Sequence, residues 1–189
     1  IINVNDLTPI KEKIYLWQGD ITTLRCDAIV NAANNRLLGC FVPCHECIDN
    51  AIHTYAGIQL RLACDKIMKS KNSFAETGSA EITQAYNLPS DYIIHTVGPI
   101  INSNLTQNDC LLLKLCYQSC LNAAEENNLK SIAFCCISTG EYHFPNQKAA
   151  EIAIDTVTEF IKSSNIERVI FNVFKDKDYE IYRKLLQTN

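Results

Sequence analysis

Apolar residues in this chain fall into short continuous runs separated by longer stretches of helical spacing. Ile14-Tyr15-Leu16-Trp17, closing at Gly19, reads as a strand, and Asp27 to Asn31 as a second with Ala28-Ile29-Val30 as its buried part. Past a cysteine-rich loop, Ile48, Ile52, Tyr55, Ile58, Leu62 and Ile67 recur at helical spacing and predict one long helix from about Ile48 to Met68. Asn72 to Gly78 reads as a loop. Ala80-Glu81-Ile82-Thr83 and Tyr92 to Val97 predict strands, with Asn87, Pro89, Ser90 and Asp91 turning the chain between them and Gly98-Pro99 ending the second. Leu111 to Glu126 predicts a helix. Ser131 to Ile137 is apolar throughout, as a strand buried on both faces must be. Ala149 to Ile161 predicts a helix, Arg168 to Phe174 another buried strand, and Tyr179 to Leu186 a closing helix.

Strands that alternate with helices predict an α/β protein, a three-layer α/β/α sandwich around a mixed, mostly parallel central sheet. The pattern is that of a single domain over residues 1–189, without repeats or an interdomain linker. Ligands of such folds sit in the crevice outside the carboxyl ends of the strands. Residues just after the strands are therefore the ones to inspect.

Composition is that of an ordinary globular protein, with 47% hydrophobic and 20% charged residues. The formal net charge of −4 offers no broad basic face, so nucleic acid is not an expected partner. A local anion site made of backbone amides leaves no mark on net charge and stays open. No stretch reaches the ~18 apolar residues of a membrane span, and Ile1 to Asp6 lack the form of a signal peptide. The chain begins at Ile1 and not at Met, so a preceding segment is expected. Ten cysteines are many, but several lie inside apolar runs such as Phe134-Cys135-Cys136-Ile137, where Cys acts as a small buried hydrophobe. Reduced thiols and a cytoplasmic location are expected; a disulfide scaffold is the competing reading. A monomer is compatible with these features.

Three segments follow strands directly. In Gln18-Gly19-Asp20-Ile21-Thr22, Asp20 can accept from an amino group or cap the next turn. In Asn31-Ala32-Ala33-Asn34, Asn34 offers donor and acceptor to a hydroxyl pair, or forms an asparagine turn. Ser138-Thr139-Gly140-Glu141-Tyr142-His143-Phe144-Pro145 lies between a buried strand and a helix, where inward backbone N–H groups and a helix N-terminus would suit a phosphate; an ordinary connection is the alternative.

Together with His95-Thr96-Val97-Gly98-Pro99, these motifs resemble the macrodomain family, in the family's order and over nearly the whole chain. The resemblance implies an ADP-ribose cleft. In it Asp20 would meet the adenine amino group, with a backbone contact from Ile21. Ser138, Thr139, Gly140 and Glu141 would cradle the pyrophosphate. Tyr142 would stack near the distal ribose, which Asn34 would also bind.

One loop departs from most macrodomains, which have a glycine run there. Gly39-Cys40-Phe41-Val42-Pro43-Cys44-His45-Glu46-Cys47 is similar to the zinc-dependent branch of the family, and the likeness assigns Cys40, His45 and Cys47 as ligands of one Zn2+ per chain. Thiolate and imidazole are zinc's preferred donors, and three of them leave the open position that catalysis needs. Cys44 would close the site if it joined, but neighbouring residues point apart, and the open site is expected. A Cys40 disulfide to Cys44 or Cys47 is the remaining alternative. Asp49, in Ile48-Asp49-Asn50-Ala51-Ile52-His53, matches the family's aspartate. It would orient or deprotonate a water, cap the helix, or both. His53 reads as a packed core histidine. His143 stands where macrodomains commonly carry glycine, which leaves the shape of its loop open.

The resemblance implies hydrolysis of the bond between ADP-ribose and a protein side chain, with mono-ADP-ribosylated protein as partner, zinc as cofactor and Asp49 and Asn34 as catalytic residues. A non-catalytic reader of ADP-ribosylated proteins, its zinc structural, is the alternative. Action on a small acylated ADP-ribose is a third reading.

Overall fold

The computed structural model describes residues 1–72 and 74–188. A short parallel pair, β1 (Ile2–Asn3) with β3 (Leu24–Arg25), flanks β2 (Ile14–Gln18) in the chain. There follow β4 (Ala28–Ala33), α1 (Ile48–Ala56), α2 (Ile58–Ser70), β5 (Ala80–Gln84), β6 (Tyr92–Val97) and α3 (Gln107–Glu126). The chain ends with β7 (Ser131–Phe134), α4 (Asn146–Ile161), β8 (Arg168–Val173) and α5 (Asp176–Thr188). The main sheet runs β2-β8-β7-β4-β6-β5, parallel throughout except for β5, which pairs antiparallel with β6.

Side chains alternate across each strand, and the helices take one face each. Asn31 of β4 and His95 of β6, in register with one another, point to α1 and α2. On the other face α3 packs on β5 and β6, α4 packs between α3 and α5, and α5 packs on β2 and β8. This is the three-layer α/β/α sandwich with a mixed, mostly parallel sheet that the alternation predicts. The central strands are buried almost end to end, which is why their sequences are mostly apolar, interrupted inside the runs by Asn31, His95, Thr96 and Asn172.

Several boundaries move for identifiable reasons. The single helix expected from Ile48 to Met68 is two helices, broken at Gly57, whose φ of 93° and ψ of 176° are open in practice to glycine alone. Its apolar face is also differently phased. Tyr55, Ile58 and Leu62 are 60%, 73% and 62% exposed, while Ile52, Ala56, Leu60, Cys64 and Met68 line the core. Helix α3 starts four residues before the expected Leu111, because Thr106 and Asp109 form a reciprocal capping box. Acidic Asp176 and Asp178 extend the start of α5 beyond the expected Tyr179. The strand expected to Ile137 leaves the sheet after Phe134. The expected loop from Asn72 to Gly78 includes Ser73, which lies outside the described residues.

All ten cysteines are free, Cys64, Cys116, Cys120 and Cys135 among them as buried hydrophobes. Among the described residues no helix is long and apolar enough to cross a membrane. One part of the interior is polar: Asn31, His95 and Thr83 from the sheet lie under Asp49 and His53 of α1. Burial pushes His95 down to about 3, with His53 nearby adding to it, and pushes His53 down to about 4, with the Arg61 charge adding to it.

Two predictions follow from the fold. A Cβ at position 57 would stand 2.9 Å from Asn87 Nδ2 in a backbone region closed to other residues. Gly57→Ala is expected to cost about 1–3 kcal/mol in urea unfolding, with the fold retained. The second concerns pH. Both buried imidazoles stay neutral in the folded state at pH values where the unfolded chain protonates them, so stability is full above about 6.5 and is lost as pH falls toward 4. Asp49, pushed up by burial to about 6, works in the opposite sense over part of that window. Two groups against one leave a net loss of about 1 kcal/mol per pH unit between pH 6 and 5, measurable by urea unfolding and shallower in a His53→Gln variant.

Candidate active site

Five parallel strands deliver their carboxyl ends to one edge of the sheet. Across that edge the order is β2, β8, β7, β4, β6. β4 and β7 pair over only Ala28 with Ile132 and Ile29 with Ala133. Beyond that they part, and the crevice opens between them where the strand order reverses direction. Strands lie about 4.8 Å apart, so the three steps from β2 to β4 span roughly 14 Å.

The β2 end carries Asp20. It caps the turn Ile21–Thr23, its Oδ1 accepting from Thr22 N at 2.9 Å and from Thr22 Oγ1 at 2.6 Å. Its other oxygen has no partner among the described residues, and Ile21 is buried beneath. Phe174, just past β8, is 76% exposed beside this turn, and Gln18 of β2 donates to its carbonyl at 3.2 Å. A flat aromatic left in water at a crevice mouth is suited to stacking on a base, worth about 1–3 kcal/mol. The buried strand expected to run to Phe174 ends at Val173, which leaves this ring outside the sheet.

After β7 the chain forms the loop 138–145 ahead of α4. Ser138 and His143 both take positive φ, 65° and 60°. The turn is closed by Phe144 N donating to Ser138 O at 2.9 Å, by His143 N to Gly140 O at 3.1 Å, and by Ile101 N to Tyr142 O at 2.9 Å. His143 thus adopts the conformation that the family's glycine would have there. Thr139 is spent locally, its Oγ1 donating to Cys136 O at 2.9 Å. Among the described residues the backbone N–H groups of Gly140, Glu141 and Tyr142 have no acceptor, and Ser138 Oγ is buried without a partner. The loop lies close over β6: a Cβ at Gly98 would stand 1.9 Å from Ser138 Oγ, so only glycine lets the two segments meet.

β4 leads to Asn34 and the cysteine loop. Asn34 is half-buried and its amide is engaged in a local turn, Nδ2 donating to Gly39 O at 3.1 Å and Oδ1 accepting from Arg36 N at 3.0 Å. Binding a ribose would exchange these bonds. Cys40, His45 and Cys47 bring their donor atoms within 4.8 Å of one another. Cys40 Sγ is 3.3 Å from His45 Nδ1, and His45 Nε2 is 3.2 Å from Glu141 Oε1. The carboxylate can only accept, so Nε2 carries the proton and Nδ1 presents its lone pair toward the thiols, the arrangement that ligating histidines use. Burial pushes the Cys47 thiol up to about 11, with Asn50 N–H pulling it down and Cys40 raising it further. This donor set of two sulfurs and one nitrogen fits a zinc-type ion. Cys44 is exposed, with φ of 54°, and stands outside the group.

Cys47 and not Asp49 is the N-cap of α1, accepting from Asn50 N at 3.4 Å. The capping role allowed for Asp49 therefore does not hold. Asp49 is buried in the first turn and accepts from Asn31 Nδ2 at 2.8 Å. Burial pushes its carboxyl up to about 6, against the Asn31 bond and the Arg61 charge. Tyr142 is half-buried nearby, its phenol raised by burial and by Asp49 and Cys47. Two surface grooves, of about 520 Å³ between α2 and β5 and about 690 Å³ between α3 and α4, lie away from this edge.

Residues 30–153 match the Macro domain family. A protein-ADP-ribose hydrolase of Treponema medium is 54% identical over 191 residues, covering 98% of this chain and 73% of the relative. One from Staphylococcus aureus (strain MRSA252) is 52% identical, with 97% and 70% covered. A variant of the Oceanobacillus iheyensis macrodomain solved with ADPR superposes with a TM-score of 0.86 at 37% identity, over 96% of each chain. The Trypanosoma brucei macrodomain in complex with ADP-ribose gives 0.85 at 34% identity, over 98% of this chain and 76% of that one. The ordered strand-end motifs, the sheet order and these likenesses agree: the chain belongs to the macrodomain family.

Proposed function

We propose that this protein is a zinc-dependent hydrolase that removes ADP-ribose from mono-ADP-ribosylated protein side chains. The observation that carries the reading is the Cys40, His45, Cys47 group, three-membered, with His45 oriented by Glu141, beside the buried carboxylate of Asp49. Relatives named protein-ADP-ribose hydrolase at 54% and 52% identity support it.

The ligand would lie along the carboxyl edge in the order base, diphosphate, ribose. Asp20, with its spare oxygen, would accept from the adenine amino group, Ile21 would add a backbone contact, and Phe174 would stack on the base. The unengaged amides of the 138–142 loop and the α4 N-terminus would hold the diphosphate without a cationic side chain, which suits a chain of net charge −4. Ser138 Oγ would gain the partner it lacks. Thr139 would act through the loop's shape, because its own hydroxyl is bonded within it. Asn34 and Tyr142 would hold the distal ribose. A zinc ion on Cys40, His45 and Cys47 would supply Lewis acidity toward the ribose or lower the pKa of a bound water toward ~7. Asp49 would take the proton of the attacking water, and its lowered affinity for solvent in the buried site fits that role.

A mono-ADP-ribosylated protein incubated with the enzyme is expected to release free ADP-ribose, and a chelator to stop the release. Tight binding with no release would favour the reader module instead. Cys40→Ala is expected to lose the zinc, read by metal analysis, and to lower turnover on the order of 10²-fold or more, since a metal's contribution is several kcal/mol. Cys44→Ala is expected to keep both metal and turnover; loss of zinc in that variant would make the site a closed, structural one.

A further inference from the structure

Asp49 is hydrogen-bonded from the sheet beneath it, while His53, one turn along its own helix, stands 3.6 Å from the same Oδ1 without a hydrogen bond. Asn31 is fully buried in β4, its Nδ2 2.8 Å from Asp49 Oδ1 and 3.2 Å from His95 Nδ1. An ionised carboxylate only accepts hydrogen bonds, so the amide nitrogen faces it, and the two amide hydrogens are divided between Asp49 and His95. This sets the His95 tautomer as well. Nδ1 accepts, Nε2 carries the proton, and its partner at 2.9 Å is Thr83 Oγ1 on β5. A chain of bonds thus runs from β5 through β6 and β4 to α1.

The same assignment explains a second gathering of metal-type side chains, His53, Cys64 and His95, all buried with donor atoms within 4.8 Å of one another. With Nδ1 taken by Asn31 and Nε2 by Thr83, His95 has no lone pair left for an ion. The gathering is not a coordination site: the His53 ring makes no hydrogen bond among the described residues, and only His95 belongs, with Asn31 and Thr83, to the hydrogen-bonded support of Asp49. Its output is directional: Oδ1 of Asp49 is engaged by Asn31, while Oδ2 has no hydrogen bond among the described residues.

We propose that Asn31, itself oriented by His95 and Thr83, is the positioning residue that aims the free oxygen of Asp49 at the reacting water. This rests on the reading of Asp49 as the base. A general base that swings by about 1 Å loses on the order of 10²-fold in rate, while ligand affinity, which depends on the rest of the cleft, is untouched.

The test is a double-mutant cycle on the zinc-loaded enzyme, with a mono-ADP-ribosylated protein as substrate and free ADP-ribose as the binding probe. Asn31→Leu keeps the side chain's approximate volume and removes its donors. It is expected to lower kcat roughly 10- to 100-fold, with KM and ADP-ribose affinity within about threefold. In the Asp49→Asn background the same change is expected to cost almost nothing more. An equal loss in both backgrounds would overturn the proposal, because Asn31 would then act on the frame and not through Asp49. Should Asn31→Leu fail to fold, the His95 pair decides. His95→Asn keeps an acceptor near the Nδ1 position and should restore most of the kcat that His95→Leu loses; equal losses would overturn the proposal. Wild-type turnover in Asp49→Asn alone would instead remove Asp49 from the reaction and bring down the functional reading beneath this one.

Discussion

The whole site depends on how briefly β4 and β7 stay together. Two residue pairs join them, Ala28 with Ile132 and Ile29 with Ala133, and then each strand goes its own way. β4 continues beside β6 as far as Ala33, whereas β7 ends at Phe134 and its chain rises into the 135–145 segment. Six paired residues hold β4 to β6, so its carboxyl half is held even though its pairing with β7 has ended. Asn31 stands on that half, and so does the start of the cysteine loop. Had β7 paired along the full length of its apolar run, the crevice between phosphate loop and cysteine loop would be filled by backbone.

The second constraint is electrostatic. A carboxylate in a loop proposed to hold phosphates is out of place until its partner is seen. Glu141 lies in the 138–145 loop, yet its Oε1 meets His45 Nε2 at 3.2 Å. One contact therefore does three things. It directs the Glu141 carboxylate to His45, while the amides of Gly140, Glu141 and Tyr142 stay unengaged among the described residues. It fixes the protonation of His45 so that Nδ1 faces the thiols. It also ties the two loops that border the crevice. As an exposed pair its own contribution to stability is small, about 0–1 kcal/mol. Its value is in orientation.

Much of this was legible in the sequence where neighbours in the chain are neighbours in space. The buried runs of β4, β6, β7 and β8 named themselves, because strands covered on both faces are predominantly apolar. Cys40, His45 and Cys47 are within eight residues, so spacing and donor chemistry were enough to single them out. The helical region failed for a physical reason. Large apolar residues at Tyr55, Ile58 and Leu62 mimic a core face, while the true face is carried partly by small ones, Ala56 and Cys64. The supports of the site were hidden because their partners are distant in sequence: Asn31 reaches His95 across 64 positions and His45 reaches Glu141 across 96. Asp49 shows the limit most plainly. Its position at a helix start reads as a cap, and only the sheet below shows that its carboxylate is directed elsewhere.

His143 and Ser138 show how such a loop can hold its shape with side chains at positive φ, His143 standing where a glycine is expected. Each non-glycine residue at positive φ costs on the order of 1–2 kcal/mol. Three backbone bonds, from Phe144, His143 and Ile101, close the turn around them and offset part of that cost. A glycine in either place would relieve the strain and also free the loop to fold outward. Side chains at these positions narrow the alternatives, so the loop that carries the unengaged amides of Gly140, Glu141 and Tyr142 is held in one shape. The ordering cost of a flexible loop would otherwise fall on binding. Residues 138–145 hold no lysine or arginine, so under the proposed function preorganised amides would take the place of positive charge in selecting a diphosphate.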